Sequence, residues 1–281
     1  MRYINIIFAL LVASFGCSET IDWEVESDEI RLVVEGRITN ESKVHQIKLT
    51  ETSDYFNATP AAAVIDATVS VFDGTETIAF METDPGIYSS PVFAGEVGRT
   101  YELSISLATP LAQQTDFTAR STMLAPPILD SLSAENILEE EGEDDEPYIY
   151  TRLSFWGTGN ELVDNGYLME VFVNDQLETD TINEVIVFED EFIDEEFEDF
   201  EFHGIDEPFA LEDDSITLIM HTVESEFNDF HVQLLTETEP RDPFGLSSPP
   251  ANVMTNVSGR ALGYFYVSAV DTVHAFVIDD M

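Results

Sequence analysis

The chain has 281 residues, with 57 Asp and Glu against 10 Lys and Arg, for a formal net charge of -47 at pH 7. Nucleic acid is excluded as an expected partner, because binding to phosphates rests on a basic patch, and an anionic membrane surface repels such a body. Disorder is not the default state either, since 44% hydrophobic and 11% aromatic residues supply enough apolar surface for a core.

Residues 1–16 read as a lipoprotein signal peptide. In MRYINIIFALLVASFGC, Arg2 precedes the apolar run Tyr3 to Phe15, and small Gly16 stands next to Cys17. The run is too short to cross a hydrocarbon core, which needs about 20 residues, so it reads as a cleaved segment. Cys17 is the sole cysteine, so it has no internal disulfide partner, and its position points to lipidation. Ala13 to Cys17 resemble a bacterial lipobox. Each buried methylene of an acyl chain contributes about 0.8 kcal/mol, so several chains anchor firmly. The acidic tether, residues 17–29, resembles the signal that sends some lipoproteins of Gram-negative bacteria to the outer cell surface.

Residues 30–123 read as short strands. Arg31 to Ile38 alternate with the period of a half-buried strand, and His45 to Leu49 place Ile47 and Leu49 on one face. Thr68 to Phe72 lead into Asp73-Gly74, a hairpin turn with Thr77 to Met81 as the return strand. Asp84-Pro85-Gly86 marks another turn, and Arg99 to Leu107 and Phe117 to Met123 complete the set. Short strands at this spacing predict an immunoglobulin-like or transthyretin-like sandwich, without the cysteine pair of antibody domains.

Ala125-Pro126-Pro127 and the acidic run Glu139 to Pro147 make residues 124–147 an acidic linker or loop. Residues 148–281 read as a second β-rich domain. Its strands are Tyr148 to Trp156, Gly166 to Asn174, Glu184 to Phe188, Ile216 to Thr222, Gly263 to Val270 and Val273 to Ile278. Ser225 to Thr238 set Phe227, Phe230, Leu234 and Leu235 at three- and four-residue steps, which predicts one short helix ended by Pro240 and Pro243. The fold class is therefore all-β, a sandwich followed by a second β-rich domain with one short helix.

Several of these segments resemble the domain of unknown function 4249 family of bacterial outer-membrane lipoproteins. The resemblance is carried by RLVVEGRITNE, the pair Tyr55-Phe56, ATVSVFDG, GIYSS, GRTYELSI, VFEDEF and DPFGLSSPPANVMTNVSGRALGYF, with Asn256, Gly259, Gly263 and Phe265 in the closing pattern. It implies an outer-membrane location and genes near TonB-dependent receptors, the outer-membrane transporters. It implies no enzymatic activity and no catalytic residues.

The residues themselves show no catalytic signature. Gly157-Thr158-Gly159 has no third glycine at the spacing of a dinucleotide fingerprint, and nucleophile-elbow and phosphate-loop motifs are absent. His45, His203, His221, His231 and His274 are scattered, which favours satisfied or exposed histidines over a metal site. Glu189 to Phe202 read as an acidic loop leading into a strand. Asp190, Asp194, Glu195 and Glu196 offer the oxygens a calcium ion takes, without EF-hand spacing or its glycine. Neither a metal nor another cofactor is expected.

Ser131, Thr181, Ser215 and Thr272 each follow an aspartate and precede an aliphatic residue, a triplet that resembles a bacterial O-glycosylation motif. Phe244 and the tyrosines Tyr264 and Tyr266, opposite Phe265 by strand alternation, are candidate partner contacts. Two functions remain open. One is a non-enzymatic surface lipoprotein that binds a ligand or docks on a TonB-dependent transporter. The other is a surface hydrolase acting on glycans through an unidentified carboxylate pair.

Overall fold

The computed structural model describes residues 29–53, 60–139, 148–159, 165–182, 184–189, 196–203, 210–238 and 252–280. Seven strands come first: β1 Leu32–Thr39, β2 Lys43–Glu51, β3 Thr68–Phe72, β4 Thr77–Asp84, β5 Ile87–Phe93, β6 Thr100–Leu111 and β7 Gln114–Thr122. There follow β8 Ile128–Glu139, β9 Tyr148–Thr158, β10 Asn165–Val173, β11 Gln176–Leu177, β12 Ile186–Glu189, β13 Glu196–His203 and β14 Ser215–Glu224. The helix α1 Ser225–Thr238 leads on to β15 Leu262–Asp280. The all-β class and the single helix among the described residues agree with the sequence reading.

The first seven strands enclose one core. Alternation turns Leu32, Val34 and Ile38 of β1 and Ile47 and Leu49 of β2 inward, against Val69, Val71, Tyr101, Leu103, Ile105 and Phe117. The fully buried Tyr88 of β5 keeps its phenol satisfied by donating to Val64 O and accepting from Ala67 N, both at 2.9 Å. The predicted turn at Asp73-Gly74 is present. Asp73 Oδ1 accepts the backbone N–H groups of Thr75 and Glu76, each at 2.7 Å, and Oδ2 meets Arg99 at 2.6 Å.

Residues 124–147, read above as a linker or loop, contain β8. This strand pairs with β9 from Ile128↔Thr158 to Glu139↔Tyr148 around a bulge after Leu129. Its inward positions include Ala134 and Asn136, a weak apolar signal between two prolines and an acidic run. Asn136 is buried because its amide is occupied, donating to Ala210 O at 3.2 Å and accepting from Thr151 Oγ1 at 2.8 Å. A second core forms where Leu153 and Phe155 of β9 meet Tyr167, Met169 and Val171 of β10 and Ile216, Leu218 and Met220 of β14.

The two closing strands expected at Gly263 to Val270 and Val273 to Ile278 are one strand, β15. No turn forms at Asp271-Thr272, because the Asp271 carboxylate accepts Leu129 N at 2.8 Å and leaves the backbone extended. β15 lies parallel to β1 from Val33↔Leu262 to Thr39↔Ser268, then antiparallel to β14 from Thr222↔Ala269 to Ser215↔Phe276. It ends parallel to β8, from Val277↔Ala134 to Asp280↔Ile137. Phe265, Val267 and Ala269 therefore belong to the first core, and Val273 and Val277 to the second. The segment 148–281 thus does not keep its strands to itself, since its last strand completes the core of 30–123.

The start of β15 demands a glycine. Gly263 has φ +82, and a Cβ there would collide with the carbonyl of its partner Val34. Gly74 has φ +92 in a turn with nothing within 4 Å of such a Cβ. Gly263→Ala is expected to lower the unfolding free energy by about 3 kcal/mol or more, from strain and displacement of β1. Gly74→Ala should lower it by about 1 kcal/mol, from backbone conformation alone. Urea unfolding of both variants checks this, and equal losses would remove the role assigned to the β1–β15 contact.

Candidate functional site

A buried polar cluster lies where β1, β10, β14 and β15 meet. In β1 the inward residues are Val34, Gly36 and Ile38, so Arg37 projects to the opposite face, beside its register partner Tyr266. Ser268 follows two residues later on the same face of β15. His221 of β14 pairs with Val270, and Glu170 of β10 lies diagonally across from His221. The turn between β1 and β2 ties to the same strand, where Asn40 Oδ1 accepts Val270 N at 2.9 Å.

Four side chains form a continuous line. Arg37 Nη1 meets Glu170 Oε1 at 2.5 Å, Glu170 Oε2 meets His221 Nε2 at 3.2 Å, and His221 Nδ1 meets Ser268 Oγ at 2.9 Å. An ionised carboxylate only accepts, so His221 donates through Nε2. Its neutral ring then accepts the Ser268 proton at Nδ1. Burial pushes the Glu170 carboxyl up, but the His221 hydrogen bond and the Arg37 charge outweigh it and hold the group at about 2. Burial pushes the His221 imidazole down against the pull of Glu170, which keeps the ring neutral. The Tyr266 phenol is raised by burial and bonded to Arg37, so it stays protonated.

Serine, imidazole and carboxylate in line bring a nucleophilic triad to mind, yet two features argue for a tie rather than a reaction centre. Ser268 is 0% exposed and His221 1%, so a substrate has no path to the hydroxyl. The acid sits on Nε2 and the serine on Nδ1, the reverse of the arrangement that relays a proton from serine. Solvent reaches the other end of the line, where the Arg37 side chain is 36% and that of Glu170 15% exposed. Sequence reasoning read His221, like the other histidines, as satisfied or exposed; it is satisfied, and its partners Glu170 and Ser268 lie 51 and 47 residues away.

Tyr264 and Tyr266 do face away from Phe265, as alternation requires, but they are not exposed contact residues. Helix α1 covers them. Phe227 packs 4.1 Å from Tyr266 and 5.4 Å from Tyr264 between ring centroids, and Phe230 lies 4.9 Å from Tyr264. Tyr264 is 7% exposed, and Leu168 and Val223 complete this third core. Phe244, Cys17, Asp190, Asp194 and Glu195 lie outside the described residues, as do the side chains of Glu196 and His203.

Among the O-glycosylation candidates, Ser131, Thr181 and Thr272 are exposed and Ser215 is half-buried. Thr181 donates to Glu184 at 2.7 Å, and Ser215 donates to Asn174 at 3.3 Å. Two of the preceding aspartates have structural work that accounts for their place. Asp214 accepts Leu211 N at 2.8 Å, and Asp271 accepts Leu129 N.

Two surface grooves meet at Arg120. One, of about 320 Å³, runs along Asp73, Arg99, Thr100 and Glu102. The other, of about 270 Å³, is lined by Glu224, Glu226, Met254, Asn256 and Tyr264. Their cations are already engaged, Arg99 with Asp73 and Glu96 and Arg120 with Glu102. Lys43, Lys48, Arg152 and Arg260 are paired with Glu41, Glu35, Glu135 and Glu29 in the same way.

The Glu170 contribution has a defined pH window. Its folded pKa lies below the ordinary 4.5, so its stabilisation is complete above that value and is lost as the pH falls toward about 2. Glu170→Gln is expected to cost about 2 kcal/mol at pH 7, by leaving Arg37 and His221 without their charged acceptor. Wild type and variant should converge between pH 4.5 and 2 in paired denaturant titrations. A gap that stays constant across this window would show that packing, and not the ion pair, is what the variant loses.

No curated protein matches the sequence. Solved structures with partial likeness include one titled "Cytokine receptor complex - Crystal form 2", at 8% identity and TM-score 0.23, covering 69% of this chain and 90% of that one. Another is the Yersinia pseudotuberculosis adhesin InvE, at 15% identity and TM-score 0.20, covering 69% of this chain and 55% of that one. The family model described as "Domain of unknown function (DUF4249)" matches residues 18–273, the whole span from the position after Cys17 into β15, and the chain belongs to that family.

Proposed function

We propose that the chain is a non-enzymatic lipoprotein, held to the outer membrane of a Gram-negative bacterium through acylated Cys17 and exposed at the cell surface. There it binds a ligand or serves as an accessory partner of a TonB-dependent transporter. The observation that carries the non-enzymatic part is the burial, inside a structural network, of Ser268 and His221, the residues closest to a hydrolytic arrangement among those described. The anchor is supported by the signal-like segment before the sole cysteine. The transporter is supported by the resemblance of the sequence to a family encoded near such receptors.

Charge defines what a partner must offer. With a net charge of -47 and cation after cation tied to carboxylates, the outer surface presents acid to whatever approaches. A protein partner is favoured when it presents a basic face, and such encounters weaken steeply with salt.

Cys17→Ala is expected to move the protein from the membrane pellet to the soluble fraction, with loss of the acyl mass on the N-terminal peptide. Retention of the variant in the pellet, together with an unacylated wild type, would remove the anchor. Detergent-solubilised outer membranes should yield a TonB-dependent transporter with the wild-type protein at low salt and less of it at high salt. Recovery of no such transporter at either salt would remove the docking role.

A further inference from the structure

The groove of about 270 Å³ bordered by Glu224, Glu226, Met254, Asn256 and Tyr264 gathers groups from β14, α1 and β15. Its wall is the segment that leads into β15. Asn256 Nδ2 donates to Phe265 O at 2.6 Å and to Arg120 O at 3.0 Å, and its Oδ1 accepts Phe265 N at 3.0 Å. Thr255 Oγ1 donates to Gly263 O at 2.6 Å, and Met254 N donates to Gln233 Oε1 at 3.1 Å. The groove is therefore held from β7, α1 and β15 before anything enters it.

One polar group in it is left over. Tyr264 is 7% exposed, with its ring against Phe227 and Phe230, and its hydroxyl has no hydrogen-bond partner among the described residues. The side-chain atoms there that are both buried and unpartnered belong to Asn165, Thr222, Asn228 and His231, so the Tyr264 oxygen keeps accessible surface. That surface opens on the groove, which Tyr264 lines. Two carboxylates border the same space. Glu224 is fixed through Oε2, which accepts Ser121 Oγ at 2.7 Å, and Glu226 stands exposed in the first turn of α1. Burial raises the Tyr264 phenol, and the charges of Glu224, Glu226 and Asp229 raise it further, which agrees with carboxylates lying near its oxygen. Arg120, the cation among the described lining residues, already meets Glu102 at 3.1 Å. What fits the groove is positive and has N–H groups to give.

We propose that this groove receives the guanidinium group of an arginine side chain presented by a protein partner. Glu224 and Glu226 meet its charge, the Tyr264 oxygen accepts one of its N–H groups, and Met254, 41% exposed, covers its methylene stem. Guanidinium suits the place better than ammonium, because its donors spread in a plane and reach acceptors on separate elements together. The inference rests on the proposed role as partner of a basic protein face, and it gives that face a residue and this chain a receiving point.

NMR titration of the full chain with isotope-labelled methionine methyl groups tests the site, the Met254 signal being assigned through Met254→Leu. The probe is N-acetyl-arginine methylamide, and N-acetyl-citrulline methylamide offers the same shape without the charge. The arginine probe is expected to shift the Met254 signal to saturation, with the citrulline probe weaker by about tenfold or more. Glu226→Gln and Tyr264→Phe should each weaken the arginine probe by about fivefold. Tyr264→Phe keeps the packed ring, and thermal melts check that both variants fold; if Tyr264→Phe does not, the exposed Glu226→Gln decides. A tetrapeptide with one arginine should bind at least as tightly as the blocked residue. No saturable shift, an equal response to citrulline, or unchanged affinity in the folded variants overturns the site, and a peptide that fails where the blocked residue binds overturns the protein partner. No transporter enters this titration, so its failure leaves the docking role standing, and an empty transporter pull-down beside a groove that fills removes the docking role alone.

Discussion

The fold depends on the parallel pairing of its first described strand with its last. β1 and β15 run side by side over seven register positions, from Val33↔Leu262 to Thr39↔Ser268. Beyond that point β15 takes β14 and then β8 as neighbours, so one backbone serves both cores. A parallel pair needs a crossover between its strands, and in this chain the crossover is everything from β2 to α1. The close approach at Gly263 and the inward march of Phe265, Val267 and Ala269 follow from that one alignment.

The polar network is a consequence of the same alignment. Arg37 comes from β1, Ser268 from β15, His221 from β14 and Glu170 from β10, and they meet because β15 brings β1 and β14 to successive stretches of one strand. In a chain this acidic, basic residues are scarce, and one is placed against a carboxylate that is mostly buried. Exposed pairs such as Lys48 with Glu35 contribute about 0–1 kcal/mol at most. Arg37 with Glu170 differs, because the carboxylate is only 15% exposed and accepts from two donors.

Local pattern was legible in the sequence wherever local physics decides the outcome. β3 runs from Thr68 to Phe72 and α1 from Ser225 to Thr238, as alternation and three-to-four spacing predict. β5 after the turn at Asp84-Pro85-Gly86 and β8 between Pro127 and the acidic run escaped detection. Beside Leu129, β8 turns the small Ala134 and the polar Asn136 toward the core, and only the partners Ala210 and Thr151 explain why an asparagine sits there. Alternation did set Tyr264 and Tyr266 opposite Phe265. It carries no information about what lies over each face, and that face is covered by Phe227 and Phe230. The same limit applies to the network, whose members are adjacent only through strand register.

The pairing of β1 with β15 also fixes an order of events during biosynthesis. A chain emerging from its N-terminus presents Leu32, Val34 and Ile38 long before Phe265 and Val267 exist to pack on them. Arg31 must wait for Asn252, 221 residues further on, before their hydrogen bond forms. Contacts of such long range slow folding and leave apolar strand edges uncovered in the interval. The first core therefore cannot be completed before the last strand is available, and any factor that guards the unfinished chain has its longest task on this first unit.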